Sequence, residues 1–160
     1  LIEDIDDNVH DFSCGRLFYR TFYLDDRRNV LYVGAMDRIF RLNLNNINQT
    51  DCEHNALVWE AVDTEHCVMK GQSEEFQCRN HIRVITPIGD GDKLYVCGTS
   101  AHNPKEMIIN SNLTLLPRNE YVAGVSDGRA RCPLDANSNS TAVWVERGTP
   151  DNIPALFSGT

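Results

Sequence analysis

The sequence is short of positive charge. Fifteen Lys and Arg stand against 23 Asp and Glu over 160 residues, a formal net charge of −8. That balance argues against a nucleic-acid partner, because neutralising phosphates needs a surplus of cations. No apolar run approaches the ~18–20 residues that span a bilayer. No G-x-x-x-x-G-K-S/T or G-x-G-x-x-G phosphate cradle occurs. The histidines His10, His54, His66, His81 and His102 lack the H-E-x-x-H or H-x-E context of a zinc hydrolase or deaminase. No stretch carries a helical apolar period beyond about two turns. Leu1-Ile2-Glu3-Asp4-Ile5-Asp6-Asp7 is acidic where a secretory signal is basic and then apolar, so the chain reads as a mature or trimmed segment. What is present, 41% apolar and 24% charged residues, is an ordinary globular composition.

Six cysteines are present: Cys14, Cys52, Cys67, Cys78, Cys97 and Cys132. An even count fits a disulfide set whose pairing the sequence alone leaves open. Three N-x-S/T sequons, at Asn48, Asn112 and Asn139, accompany them, each a candidate N-glycan acceptor. Together they point to an oxidising, extracellular context. Zinc is the competing reading, from Cys78-Arg79-Asn80-His81, Cys52-Glu53-His54 and His66-Cys67. The second close ligand pair of a structural zinc site is missing, which favours disulfides.

Residues 1–13 form an acidic, solvated lead-in. β signals follow: Arg16 to Leu24, Val30 to Ala35 and Ile39 to Leu44, separated by polar turns. The pattern returns as Ile82 to Ile85 with Leu94 to Thr99, and again as Ala142 to Val145 with Ala155 to Thr160. Aligned on a Leu-led strand that runs into glycine, Leu31, Leu94 and Leu156 lie 63 and 62 residues apart. Near-constant spacing of short strands predicts a β-propeller of repeated sheets; a β-sandwich sharing a generic strand vocabulary is the alternative. At this spacing the chain holds about two and a half blades, fewer than the four or more of a propeller. The first and last sheets are then expected to expose apolar faces, and the chain to be part of a larger domain. Between the second and third repeats, residues 100–131 are polar, with Met107 to Ile109 and Leu113 to Leu116 as short strand candidates.

Two patterns resemble catalytic or metal sites and do not complete them. Gly124-Val125-Ser126-Asp127-Gly128 has the G-x-S-x-G spacing of a nucleophile elbow, but no helix pattern follows it. Asp90-Gly91-Asp92 and Asp4-Ile5-Asp6-Asp7 do not continue into a calcium loop and read as solvated acidic turns. The expectation is a chain with no catalytic residues, no metal and no cofactor.

The longer motifs resemble one family. Leu31-Tyr32-Val33-Gly34-Ala35-Met36-Asp37-Arg38-Ile39-Phe40 resembles the first-blade signature of semaphorin Sema domains. Cys67-Val68-Met69-Lys70-Gly71 with Cys78-Arg79-Asn80-His81-Ile82-Arg83-Val84 resembles the next segment. Leu94 to Pro104, Cys132-Pro133-Leu134-Asp135 and Leu156-Phe157-Ser158-Gly159-Thr160 continue the likeness in order. It covers residues 14–160. Cys14 to Phe22 and Ala101 to Lys105 are similar to the secreted class 2 semaphorins of invertebrates.

The resemblance implies an all-β fold, the seven-bladed Sema β-propeller, of which residues 14–160 cover about the first two to three blades. It implies the pair Cys67–Cys78. Many semaphorins carry a further cysteine soon after the Asn-Pro position, and this chain has none between Cys97 and Cys132. Set against the family pattern, that departure implies Cys97–Cys132 and Cys14–Cys52. The implied function is that of a secreted ligand that binds plexin receptors, acts as a homodimer and steers, mainly by repulsion, growing axons and migrating cells. No individual receptor-binding residue is carried over. The alternatives are the Sema domain of a plexin-like receptor and a secreted propeller glycosidase. For the glycosidase, Ser126-Asp127-Gly128 is only a fragment of the required box.

Overall fold

In a computed structural model, the structure describes residues 9–117, 120 and 127–159. Sheet one joins β1 (Thr21–Asp25), β2 (Val30–Gly34), β3 (Arg38–Asn43) and β4 (Ala56–Val58) in chain order, all antiparallel. Sheet two joins β5 (Ile82–Ile88), β6 (Lys93–Gly98) and β7 (Lys105–Asn110). Sheet three joins β8 (Thr141–Val145) and β9 (Ala155–Gly159). One short helix, α1 (Thr64–Met69), lies between the first two sheets in sequence.

The repeat seen in sequence is a structural equivalence. Leu31, Leu94 and Leu156 are each the second residue of the second strand of a different sheet. Each of those strands ends on glycine, and that glycine pairs with the first residue of the preceding strand: Thr21 with Gly34, Ile82 with Gly98, Thr141 with Gly159. First strands contact one another across sheets, β1 with β5 and β5 with β8. Three meandering sheets packed through their first strands form successive blades around an axis, not the two facing layers of a sandwich.

Burial explains why the sheets stack. Val30, Tyr32 and Ile39 of sheet one meet Ile82, Ile85, Leu94, Val96 and Ile109 of sheet two in one core. Val84, Tyr95 and Cys97 of sheet two meet Ala142, Trp144 and Leu156 of sheet three in another. Each buried aliphatic or aromatic side chain there contributes about 1.5–3 kcal/mol. The outer faces are open, as the blade arithmetic requires. Phe22 and Leu24 of β1 are 61% and 51% exposed, and the cross-strand pair Val143 and Phe157 is 55% and 52% exposed. Elsewhere on sheet one the outer face is covered by Phe12, Cys14, Leu17 and Tyr19, which pack on Val33, Ala35, Phe40 and Leu42.

Two strand expectations are corrected. The run from Arg16 forms a strand only from Thr21, because Phe18 sits at φ 51, in the left-handed region, and turns the chain before β1 begins. Leu113 to Leu116 is a turn rather than a strand: Leu113 has φ 66, and Leu115 makes a single bridge to Ile109. Met107 to Ile109 lies within β7.

Candidate interaction surface

The sulfurs are all joined in pairs. Cys14 bonds Cys52, Cys67 bonds Cys78 and Cys97 bonds Cys132, with Cα–Cα distances of 5.6, 5.6 and 6.2 Å. The first ties the segment before β1 to the β3–β4 connection. The second ties α1 to the segment entering β5, and the third ties β6 to the approach to β8. In the chain-entropy picture each such loop removes about 3–4 kcal/mol of unfolded-state freedom. The zinc reading is overturned here, since no thiolate remains and His81 Nε2 lies 2.8 Å from the Phe76 carbonyl oxygen. Burial pushes the His81 pKa down, against the pull of that hydrogen bond. His54 and His66 pair with Asp51 and Asp63, three residues upstream of each. His102 lies in the turn that follows β6, and His10 is exposed in the lead-in.

The sequons divide between the two ends of the blades. Asn48 and Asn112 each follow the third strand of their sheet, so they stand at one end. Asn139 precedes the first strand of sheet three and stands at the other. All three are exposed. Each uses its side-chain oxygen locally: Asn48 accepts from the Asp11 amide at 2.7 Å, Asn112 from the Thr114 amide at 3.1 Å, and Asn139 from Arg20 at 2.8 Å. That leaves the amide nitrogen, the atom a glycan joins, uncommitted to these contacts.

Polar groups lock the blades together. Asp37, in the β2–β3 turn at φ 59, accepts from the Asn80 amide at 2.8 Å and from Arg79 Nε at 2.5 Å. Its own amide donates to the Asn80 carbonyl at 2.7 Å. The Asn80 side chain then donates to the Trp59 carbonyl at 2.9 Å and accepts from the Ser100 amide at 3.1 Å. One buried Asp–Asn unit thereby joins sheet one, the entry to β5 and the turn after β6. At the other end, Arg28 pairs with Asp25 at 3.1 Å and with Asp92 across the sheet boundary. Asp92, by its carboxylate, and Asp90, by its backbone carbonyl 3.1 Å from Arg28, therefore make that acidic turn an inter-blade clamp. Between sheets two and three, the buried carboxylate of Glu106 accepts from Tyr95 and Arg131. Burial, followed by that hydrogen bond, raises the Tyr95 pKa. Near the first strands, Arg20 and Arg83 both donate to the Ala136 carbonyl, at 2.8 and 3.2 Å. This holds the loop before β8 against the first two sheets.

Of the elbow pattern, Gly124, Val125 and Ser126 lie outside the described residues. Its remaining part is structural: Asp127 caps the Arg129 amide, and the Gly128 amide donates to the Pro104 carbonyl. Asp4 to Asp7 also lies outside the described residues. An aromatic cluster marks the end of the blades that carries Asp37. Phe18 packs edge-on against Phe76 at 4.8 Å, Phe76 against His81 at 4.6 Å, and Arg16 lies over Phe18 at 5.4 Å. Sequence reasoning missed the Asp37 unit, the Arg28 clamp and Glu106, because each joins residues far apart in the chain.

The arrangement has relatives. Over 154 residues, 96% of the chain, it is 54% identical to Semaphorin-2A of Schistocerca gregaria, and over 156 residues it is 53% identical to Semaphorin-2A of Drosophila melanogaster. The chain belongs to the semaphorin family. Human Semaphorin-4D is 32% identical over 89% of the chain. The chain spans 22% of the length of the two Semaphorin-2A relatives and 15% of Semaphorin-4D. No family model matches it. The solved structure of Drosophila Semaphorin 2a superposes with a TM-score of 0.92 at 53% identity, over 94% of this chain and 25% of that one. The extracellular domains of Drosophila Semaphorin 1a give 0.68 at 29% identity, over 91% of this chain and 25% of that one. A structure of Drosophila Plexin A in complex with Semaphorin 1b gives 0.60 at 21% identity, a likeness of fold alone, over 89% of this chain and 27% of that one. The three sheets of this semaphorin chain are thus blades of a Sema β-propeller. Among the described residues, no helix is long and apolar enough to cross a membrane.

Proposed function

We propose that this chain is the early part of the Sema propeller of a secreted guidance ligand, which binds a plexin receptor and steers axons and migrating cells, mainly by repulsion. On this reading residues 1–13 are an acidic lead-in, anchored on sheet one by Phe12, and residues 14–160 the first blades. The 53% identity carried on a matching fold with Drosophila Semaphorin 2a is the observation that carries it. The chemistry agrees with recognition rather than catalysis: the buried side chains of Asp37, Asn80 and Glu106 are spent joining distant segments of the fold. The paired cysteines suit an oxidising compartment. A homodimeric ligand would bring two receptors together. An acidic surface would speed encounter with a basic receptor patch more than it would tighten the complex.

The test is surface plasmon resonance of the longer protein against immobilised plexin and semaphorin ectodomains. Saturable binding to plexin is expected. Binding to the semaphorin surface alone would move the assignment to the receptor side. The same preparation should lose mass at Asn48, Asn112 and Asn139 on treatment with an N-glycosidase; unmodified peptides at all three positions would refute the glycan reading.

A further inference from the structure

One cavity departs from the acid-rich character of the chain. It has a volume of about 210 Å³ and lies over the β3–β4 connection, lined by Arg41, Asn43, Asn46, Gln49, Thr50 and Asn55. One cation, carboxamides and a hydroxyl form its walls; no carboxylate and no apolar side chain does. The asparagine oxygens are already engaged. Asn43 Oδ1 accepts from the Asn45 amide at 3.0 Å, Asn46 Oδ1 from the Asn48 amide at 3.1 Å, and Asn55 Oδ1 from the Asp51 amide at 2.8 Å. Their NH2 groups remain as donors.

Arg41 adds the charge. Its Nε is buried without a hydrogen-bond partner, and no carboxylate of a described residue pairs with its guanidinium. The neighbouring carboxylate of Asp51 is committed elsewhere. It accepts from the backbone of His54 at 2.7 Å and of Glu53 at 2.8 Å, which holds its pKa down to about 2. A set of donors around an unpaired guanidinium is complementary to an oxyanion surrounded by hydroxyl groups. The absence of an apolar wall disfavours a peptide anchored by a hydrophobic side chain.

We infer that this pocket binds an acidic saccharide unit, with a carboxylate or sulfate on Arg41 and sugar hydroxyls on the carboxamides. A volume of about 210 Å³ admits one sugar ring rather than a long chain. The sequon at Asn48 lies in the chain between the lining residues Asn46 and Gln49. The site is independent of the plexin reading and needs no part of it.

The test is isothermal titration of the longer protein, at low salt, with a hyaluronan tetrasaccharide, which carries carboxylates only, and with a heparin tetrasaccharide, which adds sulfates. Saturable binding to at least one is expected. It should weaken at least tenfold in Arg41→Gln and several-fold in Gln49→Ala, which trims an exposed wall residue and leaves the fold intact. Lys70→Gln, on the exposed end of α1, should change it less than twofold. Binding to hyaluronan assigns the carboxylate, and binding to heparin alone assigns the sulfate. No saturable binding to either, or equal weakening by Lys70→Gln and Arg41→Gln, overturns the site.

Discussion

Replacing Gly98 by alanine is expected to destabilise the protein by about 3 kcal/mol or more, lowering its unfolding midpoint and its secreted yield. A Cβ on Gly98 would fall within the Asn80 amide, 2.9 Å from its Cγ, and 3.2 Å from the His81 carbonyl oxygen. Asn80 cannot move aside cheaply, since it is fully buried and holds both the Trp59 carbonyl and the Ser100 amide. Gly34, at the same place in sheet one, would meet the Ile82 side chain at 2.8 Å. It would also meet the Cβ atoms of Ile82 and Thr21 at 3.0 Å, which only a backbone shift can move, so Gly34→Ala should cost roughly 1–3 kcal/mol. The cause can be isolated by a double-mutant cycle. In an Asn80→Ala background the extra cost of Gly98→Ala should fall to about 1 kcal/mol or less. Simple additivity would show that the glycine is not there to admit Asn80.

The second large effect is expected at Asp37. Asp37→Ala removes the acceptor for the buried Asn80 amide and for Arg79, and places alanine at φ 59. An unpaired buried donor costs about 1–3 kcal/mol. A left-handed alanine adds roughly 1 kcal/mol. The lost ion pair adds less than a buried one would, because the Arg79 side chain is 41% exposed. The sum is about 2–5 kcal/mol. Asp37→Asn tolerates the left-handed backbone and keeps one acceptor, so it should cost about half as much. Urea unfolding of the three proteins tests this order; an alanine variant as stable as the asparagine one would contradict the role given to the carboxylate.

These positions show where the sequence was legible. Hairpins were readable because a polar turn such as Asp25 to Asn29 separates two β-rich runs, and both signals are local. The blade equivalence was readable because Leu31, Leu94 and Leu156 preserve one strand position at near-constant spacing. Asp37 was readable only as part of a turn. Its left-handed conformation and its partners at Arg79 and Asn80 depend on how two sheets pack, and no local pattern encodes that. Phe18 misled for a related reason: its β propensity is overridden by a left-handed turn, where its ring packs against Phe76 and Arg16. The acidic turn at Asp90 and Asp92 looked solvated, and one of its carboxylates instead engages Arg28 from the preceding blade. Long-range polar pairs of this kind are where residue-by-residue reading stops.

A propeller requires the two bare apolar flanks of these sheets to meet further blades. An electron cryomicroscopy structure of the longer protein should find Phe22 and Leu24 against one neighbouring sheet, and Val143 and Phe157 against another, all four withdrawn from water. Finding both flanks open to solvent in that protein, or pressed against each other in a self-contained barrel, would contradict it.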